Sequence, residues 1–388
     1  MKIETLVLQQ FRSYAKEIFQ FSSTVTLIIG PNTSGKTNML EGIYCLATGK
    51  SFRAQKESDM VRWGGEIARI SAQILNQNKI PHQVRDDKTR LELVITTGEV
   101  NGEKAPMKKY LVNGVPRRQI DFVGNVRAVL FSPGDLELVT DSPSLRRQYL
   151  NSVLIQTDRE YRRNLLSYER GLRQRNKLLD CINEGKAGRS QLLFWNQLCI
   201  KSGSYLTDKR QAFINYINMY VLDDFYYRLI YDKSIISQSR LDEYRDEEVA
   251  AKSTLVGPQR DDFIVTKSQS AGWRTNHPPA LAFDKSRWRA GNDQQGTYRD
   301  VSRFGSRGEQ RLAVLWLKLA EFSYIEDQTE ERPILLLDDI FSELDQECRT
   351  IVLSIIDNQQ TIITSAENEV IQLFKSMKDV KIIRLPIG

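Results

Sequence analysis

Histidine and cysteine are scarce in this chain, which has two His and four Cys among 388 residues. The cysteines form no CxxC pair, so their spacing offers no zinc site and favours reduced thiols at Cys45, Cys181, Cys199 and Cys348. No stretch approaches the roughly 18 consecutive apolar residues of a membrane span, and the first residues lack the apolar run and cleavage site of a signal peptide. We therefore expect a cytoplasmic protein that does not enter a membrane.

The excess of positive charge is small as well. Lys and Arg number 55 against 49 Asp and Glu, which gives a net charge of +6 and a pI near 9.0. Such an excess permits nucleic-acid binding only if the basic residues are concentrated on one face. With 40% hydrophobic and 27% charged residues, the composition is that of a folded globular protein, and the length suggests two or three lobes.

Strand and helix patterns alternate at both ends of the chain. Near the N-terminus they predict strands over 2–8 and 25–29, a helix over 36–47, and a mostly antiparallel sheet from segments 67–74, 91–95, 110–112 and 126–131. Near the C-terminus they predict helices over 308–325, 345–357 and 367–378 and strands over 334–337, 361–364 and 380–385. Strand–helix alternation at both ends predicts one α/β lobe assembled from both termini.

The middle of the chain has a different character. Leu and Tyr recur at spacings of three, four or seven from residue 150 to 179, which predicts packed helices over about 143–230. A strand is predicted at 262–266, and a stretch rich in Ser, Asn and Gln predicts a loop at 268–300. The predicted divisions are therefore 1–142 (N-terminal part of the α/β lobe), 143–255 (helical lobe) and 256–388 (C-terminal part of the α/β lobe).

Residues 30–37 carry the pattern G-x-x-x-x-G-K-[ST] between a predicted strand and a predicted helix. Glycines let main-chain N–H groups curl around phosphate oxygens, and the positive end of the following helix faces the same anion. The lysine would reach the β- and γ-phosphates, and the last hydroxyl would bind Mg²⁺. The sequence therefore predicts an ATP–Mg²⁺ site formed by Gly30, Pro31, Asn32, Thr33, Ser34, Gly35, Lys36 and Thr37.

Two carboxylates follow the apolar run 334–337. Ligands in open α/β sheets bind at the carboxyl ends of the strands, so Asp338 is predicted to hold the Mg²⁺ shell together with Thr37. Asp339 is predicted to orient or deprotonate the attacking water. Many proteins of this architecture have Glu there, and the shorter Asp predicts slow hydrolysis. The predicted catalytic residues are Lys36, Asp338 and Asp339.

Ser306 and Glu309 open a predicted helix and form the pattern of a capping box. The functional interpretation is that Ser306 and the Gly308 amide bind a γ-phosphate, since a helix N-terminus suits that anion. Lys36 and Ser306 are 270 positions apart with the helical block between them. In ATPases of the ABC and SMC type, each site is completed by the Ser-x-Gly helix of the partner, so we expect an ATP-dependent head-to-tail homodimer.

Together these motifs resemble the RecF family of SMC-like ABC ATPases. The resemblance covers most of the chain in family order, at residues 11–14, 30–37, 131–139, 168–176, 257–262, 306–311 and 337–345. It implies an ABC/SMC-type P-loop ATPase head with an inserted helical lobe. It also implies a weak DNA-dependent ATPase that binds gapped or junction DNA with weak sequence preference. RecO- and RecR-type partners, recombinase loading, replication restart and a link to the SOS response are implied too.

The chain departs from the family pattern at several places. Gln259 stands where His is usual, segments 77–110 and 268–300 look longer, and the signature reads Arg307-Gly-Glu309 where Gln is commoner. No His follows Ile363, so a hydroxyl of Thr364 or Ser365 could take the place of a phosphate-sensing His.

Basic residues suggest two DNA-contacting regions. One is the helical cluster of Arg159, Arg162, Arg163, Arg170, Arg173, Arg175 and Lys177, and the other is Lys50, Arg53 and Lys56. A solvated helix face with i,i+4 pairs would have the same pattern as the first cluster. The alternatives for the whole protein are a transporter or other ABC-type subunit, a small-molecule kinase and a non-catalytic ATP-binding scaffold.

Overall fold

The computed structural model describes residues 1–75, 88–220, 227–268, 298–356, 358–375, 377 and 379–386. Its contacts divide the chain into two compact units, Met1–Asp135 with Glu321–Gly388, and Leu136–Ala320. The first unit is built from both chain ends, as the strand–helix alternation predicted. The predicted loop at 268–300 lies almost entirely outside the described residues.

Two sheets form the first unit. The larger is antiparallel, with strand order β2-β1-β4-β5-β8-β9. Its strands are β1 (Lys2–Phe11), β2 (Tyr14–Gln20), β4 (Ile67–Leu75), β5 (Lys88–Thr96), β8 (Lys108–Val112) and β9 (Val115–Arg117). Buried and exposed residues alternate along β4, so one face of the sheet is covered and the other is open. A small hairpin of β6 (Glu99–Val100) and β7 (Glu103–Lys104) lies beside it.

The second sheet is parallel, with strand order β10-β14-β15-β3-β16. Its strands are β3 (Val25–Ile29), β10 (Ala128–Phe131), β14 (Ile334–Asp338), β15 (Thr361–Ser365) and β16 (Lys381–Arg384). The prediction for 126–131 was wrong in one respect, because β10 pairs in parallel with β14 and does not join the antiparallel sheet. The physical reason is in the residues: all four of β10 are buried, a continuous apolar run of the kind that parallel sheets favour.

Helices of the first unit connect these strands. They are α1 (Lys36–Thr48), the short α2 (Gln119–Phe122), α11 (Gln346–Ile356) and α12 (Val370–Leu373). The helix predicted over 367–378 is only one turn long in the described residues. Phe374 and Met377 donate main-chain hydrogen bonds three residues back, so the segment tightens instead of continuing as an α-helix.

The second unit is mainly helical, as predicted. It contains α3 (Glu137–Thr140), α4 (Pro143–Thr157), α5 (Arg159–Asn183), α6 (Leu192–Met219), α7 (Gln238–Glu243), α8 (Arg245–Ala250), α9 (Val301–Phe304) and most of α10 (Arg307–Thr329). A three-stranded sheet of β11 (Tyr227–Asp232), β12 (Asp262–Ser268) and β13 (Tyr298–Asp300) was only partly foreseen. The beginning of β11 lies in the segment that we predicted to be helical.

The packing of this sheet bears on the predicted domain limits. Its strands β12 and β13 group with the helical block, so the described residues 256–268 and 298–320 pack in the central unit instead of the α/β unit. The predicted limits at 142/143 and 255/256 do not coincide with those of the compact units, and the division into lobes at those residues stays a prediction. Among the described residues, no helix is both long enough and apolar enough to cross a membrane.

Two buried ion pairs organise the interior of the second unit. Arg210 donates to Asp261 at 2.7 Å, and Arg175 donates to Glu248 at 2.6 Å. All four side chains are at most 3% exposed. Such pairs are stable only when their remaining polar atoms are satisfied, and further hydrogen bonds to neighbouring polar groups supply this here.

Candidate nucleotide-binding site

The glycine-rich loop leaves β3 and enters α1 directly at Lys36. Gly35 has φ +94°, a conformation that side chains rarely adopt. A Cβ atom there would lie 2.7 Å from the hydroxyl oxygen of Tyr14 in the β1–β2 hairpin, and one on Gly30 would lie 2.7 Å from Ser34 Oγ. Gly35 is therefore required by its conformation and its close approach to Tyr14, and Gly30 leaves little room beside Ser34 and Leu385, as suits a loop that wraps an anion.

The N-terminus of α1 is open to an anion. It has no side-chain cap and no acidic residue in its first turn. The Lys36 ammonium lies inside the loop, where Nζ donates to the main-chain oxygens of Gly30 at 2.7 Å and Pro31 at 2.9 Å. Burial lowers the pKa of Lys36, and the carboxylates of Asp339 and Asp338 oppose that shift. The uncapped start of α1 and the Lys36 ammonium thus lie at the same loop, an arrangement that suits phosphate binding.

Thr37 and Asp338 meet at the carboxyl end of the parallel sheet although they are 301 residues apart. Thr37 Oγ1 donates to Asp338 Oδ1 at 3.1 Å. Thr364 Oγ1, at the end of the neighbouring strand β15, donates to the same oxygen at 2.8 Å. Burial raises the pKa of Asp338, and the two hydroxyl hydrogen bonds oppose that shift.

The oxygens of this cluster fit a magnesium ion. Mg²⁺ prefers hard oxygen ligands and usually takes only one or two carboxylates, with water and phosphate completing its octahedron. Among the described residues, no group of three or more His, Cys, Asp or Glu side chains could hold a metal alone. Ser34 Oγ in the loop is buried without a hydrogen-bond partner in the structure, an orphan that a phosphate oxygen could satisfy.

Asp339 lies directly after Asp338 with a left-handed backbone, at φ 53°. Its N–H donates to the main-chain oxygen of Thr364 at 3.1 Å, and its Oδ1 accepts a long hydrogen bond from the Ala366 N–H at 3.4 Å. The residue is half-buried, and its charge acts on Lys36 of the loop. This position is compatible with the predicted catalytic role, which stays a prediction.

Thr364 is a site residue that sequence reasoning interpreted differently. We considered its hydroxyl as a phosphate sensor, but it donates to the carboxylate of Asp338. The hydroxyl of Ser365 accepts the N–H of Glu367 at 3.0 Å. The position of Thr364 could have been inferred only from the pairing of β14 with β15, which sets Asp338 opposite Thr364.

The signature segment belongs to the second unit. The Ser306 N–H donates to Glu309 Oε2 at 2.8 Å, and the Glu309 N–H donates to Ser306 Oγ at 3.2 Å, so the predicted capping box is confirmed. Lys267 of β12 donates to the other oxygen of Glu309 at 2.8 Å. This hydrogen bond is the largest cause of the lowered pKa of Glu309. Ser306 is exposed and Gly308 half-buried at the start of α10, so both are accessible to a ligand.

Comparison with known proteins identifies the family. The model of the family described as the RecF/RecN/SMC N terminal domain matches residues 2–384. The DNA replication and repair protein RecF of Thermomicrobium roseum is 33% identical over 415 residues, covering 96% of this chain and 95% of that protein. This chain belongs to the RecF family. The protein of the same name from Lachnoclostridium phytofermentans is 31% identical over 378 residues, covering 94% of this chain and 92% of its own length.

A solved structure supports the same assignment. It is described as the recombination mediator protein RecF-ATPrS in the RecFOR pathway, and it matches with a TM-score of 0.76 at 26% identity. The match covers 99% of this chain and 96% of that one. The predicted RecF resemblance and the SMC-type α/β head are thus confirmed.

The RecF motif at residues 257–262 has a structural role in this chain. Gln259, the position where the family pattern has His, accepts a short hydrogen bond from the Tyr168 hydroxyl and donates to the Val256 main-chain oxygen at 2.9 Å. Asp261 is fully buried against Arg210, and its other oxygen accepts the Ser234 N–H at 2.7 Å. The motif therefore anchors a tight loop beneath α5 and α6.

The basic side chains of the two predicted DNA-contacting regions differ in burial and in ion pairing. Arg175 was wrongly included in a DNA-contacting cluster, because it is 2% exposed and paired with Glu248. The rest of the helical cluster lies outside the interior: Arg159, Arg163, Arg170, Arg173 and Lys177 are exposed and Arg162 is half-buried. In the other region, Arg53 pairs with the buried Glu41, while Lys50 and Lys56 are exposed.

Proposed function

We propose that this chain is an ATP-dependent DNA-binding protein of recombinational repair. ATP with Mg²⁺ would close a head-to-tail homodimer on gapped or junction DNA, and slow hydrolysis would open it again. The chain would act in the cytoplasm with RecO- and RecR-type partners to load a recombinase. Roles in DNA replication and the SOS response belong to the same proposal.

The observation that carries this proposal is the meeting of Thr37 and Asp338. A hydroxyl and a carboxylate 3.1 Å apart, brought together from positions 301 residues apart, provide the two protein oxygens that a Mg²⁺–ATP complex needs. When bound, Mg²⁺ would neutralise charge on the β- and γ-phosphates. The mediator RecF described with ATP in the RecFOR pathway is a relative at 26% identity and supports ATP as the nucleotide.

Three side chains of this chain would then do the chemistry. Lys36 would leave the carbonyls of Gly30 and Pro31 and bind phosphate oxygens, with its charge maintained by the neighbouring carboxylates. Asp339 would orient or deprotonate the attacking water. Because its side chain is one methylene shorter than Glu, we expect turnover to be slow, as a switch requires.

The dimer is supported by the start of α10. Ser306 Oγ and the Gly308 amide stand at the N-terminus of a 23-residue helix, where the helix dipole favours an anion. In the proposed dimer, this helix of one protomer would contact the γ-phosphate bound at Lys36 of the other.

Sedimentation of the wild-type chain, Lys36→Met and Ser306→Arg, with and without ATP–Mg²⁺, tests the proposal. We expect the wild type to be a monomer without nucleotide and a dimer with it. Lys36→Met should bind no ATP, whereas Ser306→Arg should bind ATP and remain a monomer. Ser144→Arg places the same side chain on an exposed serine in the first turn of another helix and should dimerise normally. A nucleotide-loaded wild type that stays monomeric would refute the dimer.

The scaffold alternative is separated from the switch by Asp339→Asn. If hydrolysis opens the dimer, this variant should bind ATP and DNA but retain the DNA for longer, in step with its loss of turnover. A non-catalytic scaffold would show the same DNA retention in both proteins.

A further inference from the structure

Trp63 stands at the tip of a tight turn with its side chain in solvent. The Gly65 N–H donates to the Arg62 main-chain oxygen at 2.9 Å, and Gly64 has φ +80°, so the turn is closed and Gly-dependent. The Trp63 side chain is 100% exposed, whereas Trp316 is 1% exposed. A tryptophan offers one of the largest apolar surfaces of any side chain, and this one is fully exposed.

The turn is attached to the hairpin that packs on the phosphate loop. The Arg62 N–H donates to the Gln10 main-chain oxygen at 2.8 Å, and the Arg12 N–H donates to the Met60 oxygen at 3.0 Å. Tyr14, four residues after Gln10, is the residue whose hydroxyl approaches Gly35. Trp63 is therefore held on a fixed support next to β1, not on a loose loop.

A row of cross-strand neighbours crosses the antiparallel sheet beside this turn; it is exposed at both ends, at Lys16 and Lys109, and buried at Val94 of β5. In register, Gln9 of β1 is opposite both Lys16 of β2 and Arg69 of β4. Val94 of β5 is opposite Arg69, and Lys109 of β8 is opposite Val94. We call these five residues the basic row. With strands about 4.8 Å apart, it spans about 19 Å.

Two of the three charges of the basic row, those of Lys16 and Lys109, are available to a ligand. The row contains no acidic residue, and Lys16, Arg69 and Lys109 are all exposed. Arg69 pairs with Glu92 of the adjacent row at 2.9 Å, while Lys16 and Lys109 make no ion pair in the described part of the chain. Exposed Arg62 adds a further positive charge next to the indole.

We propose that Trp63 stacks on an unpaired nucleobase of DNA while the basic row and Arg62 contact the phosphates on either side. An aromatic ring next to a track of basic side chains is the combination by which single-stranded nucleic acid is bound without sequence preference. The proposal rests on the proposed DNA binding and adds the element that would distinguish a gap from continuous duplex. A duplex offers phosphates but keeps its bases stacked, so only the unpaired strand can use the indole.

A protein-binding role for Trp63 is less well supported by its surroundings. The centre of a protein interface is depleted of charge and rich in apolar groups. Trp63 is flanked in the chain by Arg62 and Gly64, and the basic row beside the turn includes three positively charged side chains. Charge complementarity therefore favours a polyanion.

The test compares Trp63→Ala, Trp63→Phe and the wild-type chain on three DNAs: a single strand, a gapped duplex and a blunt duplex. Because the side chain is fully exposed, neither substitution should change the stability of the fold. Trp63→Ala should bind the single strand and the gapped duplex about 5- to 150-fold more weakly, as expected for the loss of one stacked base. Binding to blunt duplex should be unchanged, and Trp63→Phe should restore most of the loss.

Two controls complete the experiment. Phe194→Ala truncates another exposed aromatic, 64% exposed, and should not affect any of the three DNAs. Replacing Lys16 and Lys109 together by Gln should reduce the slope of log affinity against log salt by about 2 on every DNA. Tryptophan fluorescence should be quenched by an oligo-dT strand in the wild type and not in Trp63→Phe.

The possible outcomes separate this inference from the function on which it rests. If the wild type binds no DNA of any form, the proposed function fails. Two results would overturn the stacking inference alone when the wild type does bind gapped DNA. In the first, Trp63→Ala binds gapped DNA as tightly as the wild type. In the second, Trp63→Ala loses as much affinity for blunt duplex as for gapped DNA.

Discussion

Thr364 provides a sharp test of the site geometry, because one hydroxyl supports the carboxylate that would hold Mg²⁺. Thr364 is fully buried, and its hydroxyl donates to Asp338 Oδ1 at 2.8 Å. The Asp339 N–H donates to this hydroxyl at 3.2 Å, but it also donates to the Thr364 main-chain oxygen at 3.1 Å and keeps that acceptor in any variant. Thr364→Val therefore removes one hydrogen bond to an ionised group, which contributes about 1.5–3 kcal/mol.

The sign of the pH dependence follows from the pKa of Asp338. Burial raises this pKa, and the hydrogen bonds from Thr364 and Thr37 lower it. Without the Thr364 hydroxyl, the pKa of Asp338 should rise further. A carboxyl whose pKa is raised by folding holds its proton more tightly in the folded state, so its ionisation opposes folding as the pH rises through the folded pKa. The stability difference between Thr364→Val and the wild type should be full at neutral pH and vanish below the wild-type pKa of Asp338.

Urea unfolding and calorimetric titration with ATP–Mg²⁺ measure the two consequences. At neutral pH, Thr364→Val should lose about 1.5–3 kcal/mol of unfolding free energy and bind ATP–Mg²⁺ at least about 10-fold more weakly. Thr364→Ser keeps the hydroxyl and serves as the matched control, with nucleotide affinity close to that of the wild type. Equal nucleotide affinities of the Val and Ser variants at neutral pH would refute the role assigned to this hydroxyl.

Other perturbations test the rest of the structure. Arg210→Met leaves Asp261 buried without its charge partner and should cost about 3–5 kcal/mol in urea unfolding, whereas Arg163→Met on the surface should cost little. Gly35→Ala places a Cβ 2.7 Å from the Tyr14 hydroxyl at a positive φ, so ATP binding by calorimetry should be lost; binding at wild-type affinity would contradict the loop geometry. DNA affinity should fall steeply with salt in fluorescence anisotropy, because phosphate contacts dominate, and a flat salt profile would contradict phosphate-led binding.

Much of the candidate site could be predicted from local sequence patterns. The glycine-rich loop, the helix that follows it and the capping box of Ser306 and Glu309 each depend on residues a few positions apart. Their physical causes are local: backbone conformations open to glycine, and side chains that satisfy the free N–H groups of a helix start. The α/β class could also be predicted, because alternation of strand and helix patterns does not depend on register.

Other features depended on which strands pair and which side chains are buried. Segment 126–131 was predicted in the antiparallel sheet, and only its pairing with β14, a strand from the other end of the chain, places it in the parallel sheet. In sequence, Arg175 resembles its basic neighbours on α5. In the structure it is buried and paired with Glu248, and the sequence of α5 alone does not indicate this partner.

The sequence by itself determined the phosphate loop, the paired carboxylates and the class of fold, because each of these depends on residues that are neighbours in the chain. Only the tertiary structure decided that Thr364 would hold Asp338, that Arg210 and Asp261 would neutralise each other in the interior, and that Trp63 would remain in solvent beside the basic row. These outcomes arise from strand register and from the desolvation of charged groups, which depend on residues brought together from distant parts of the chain.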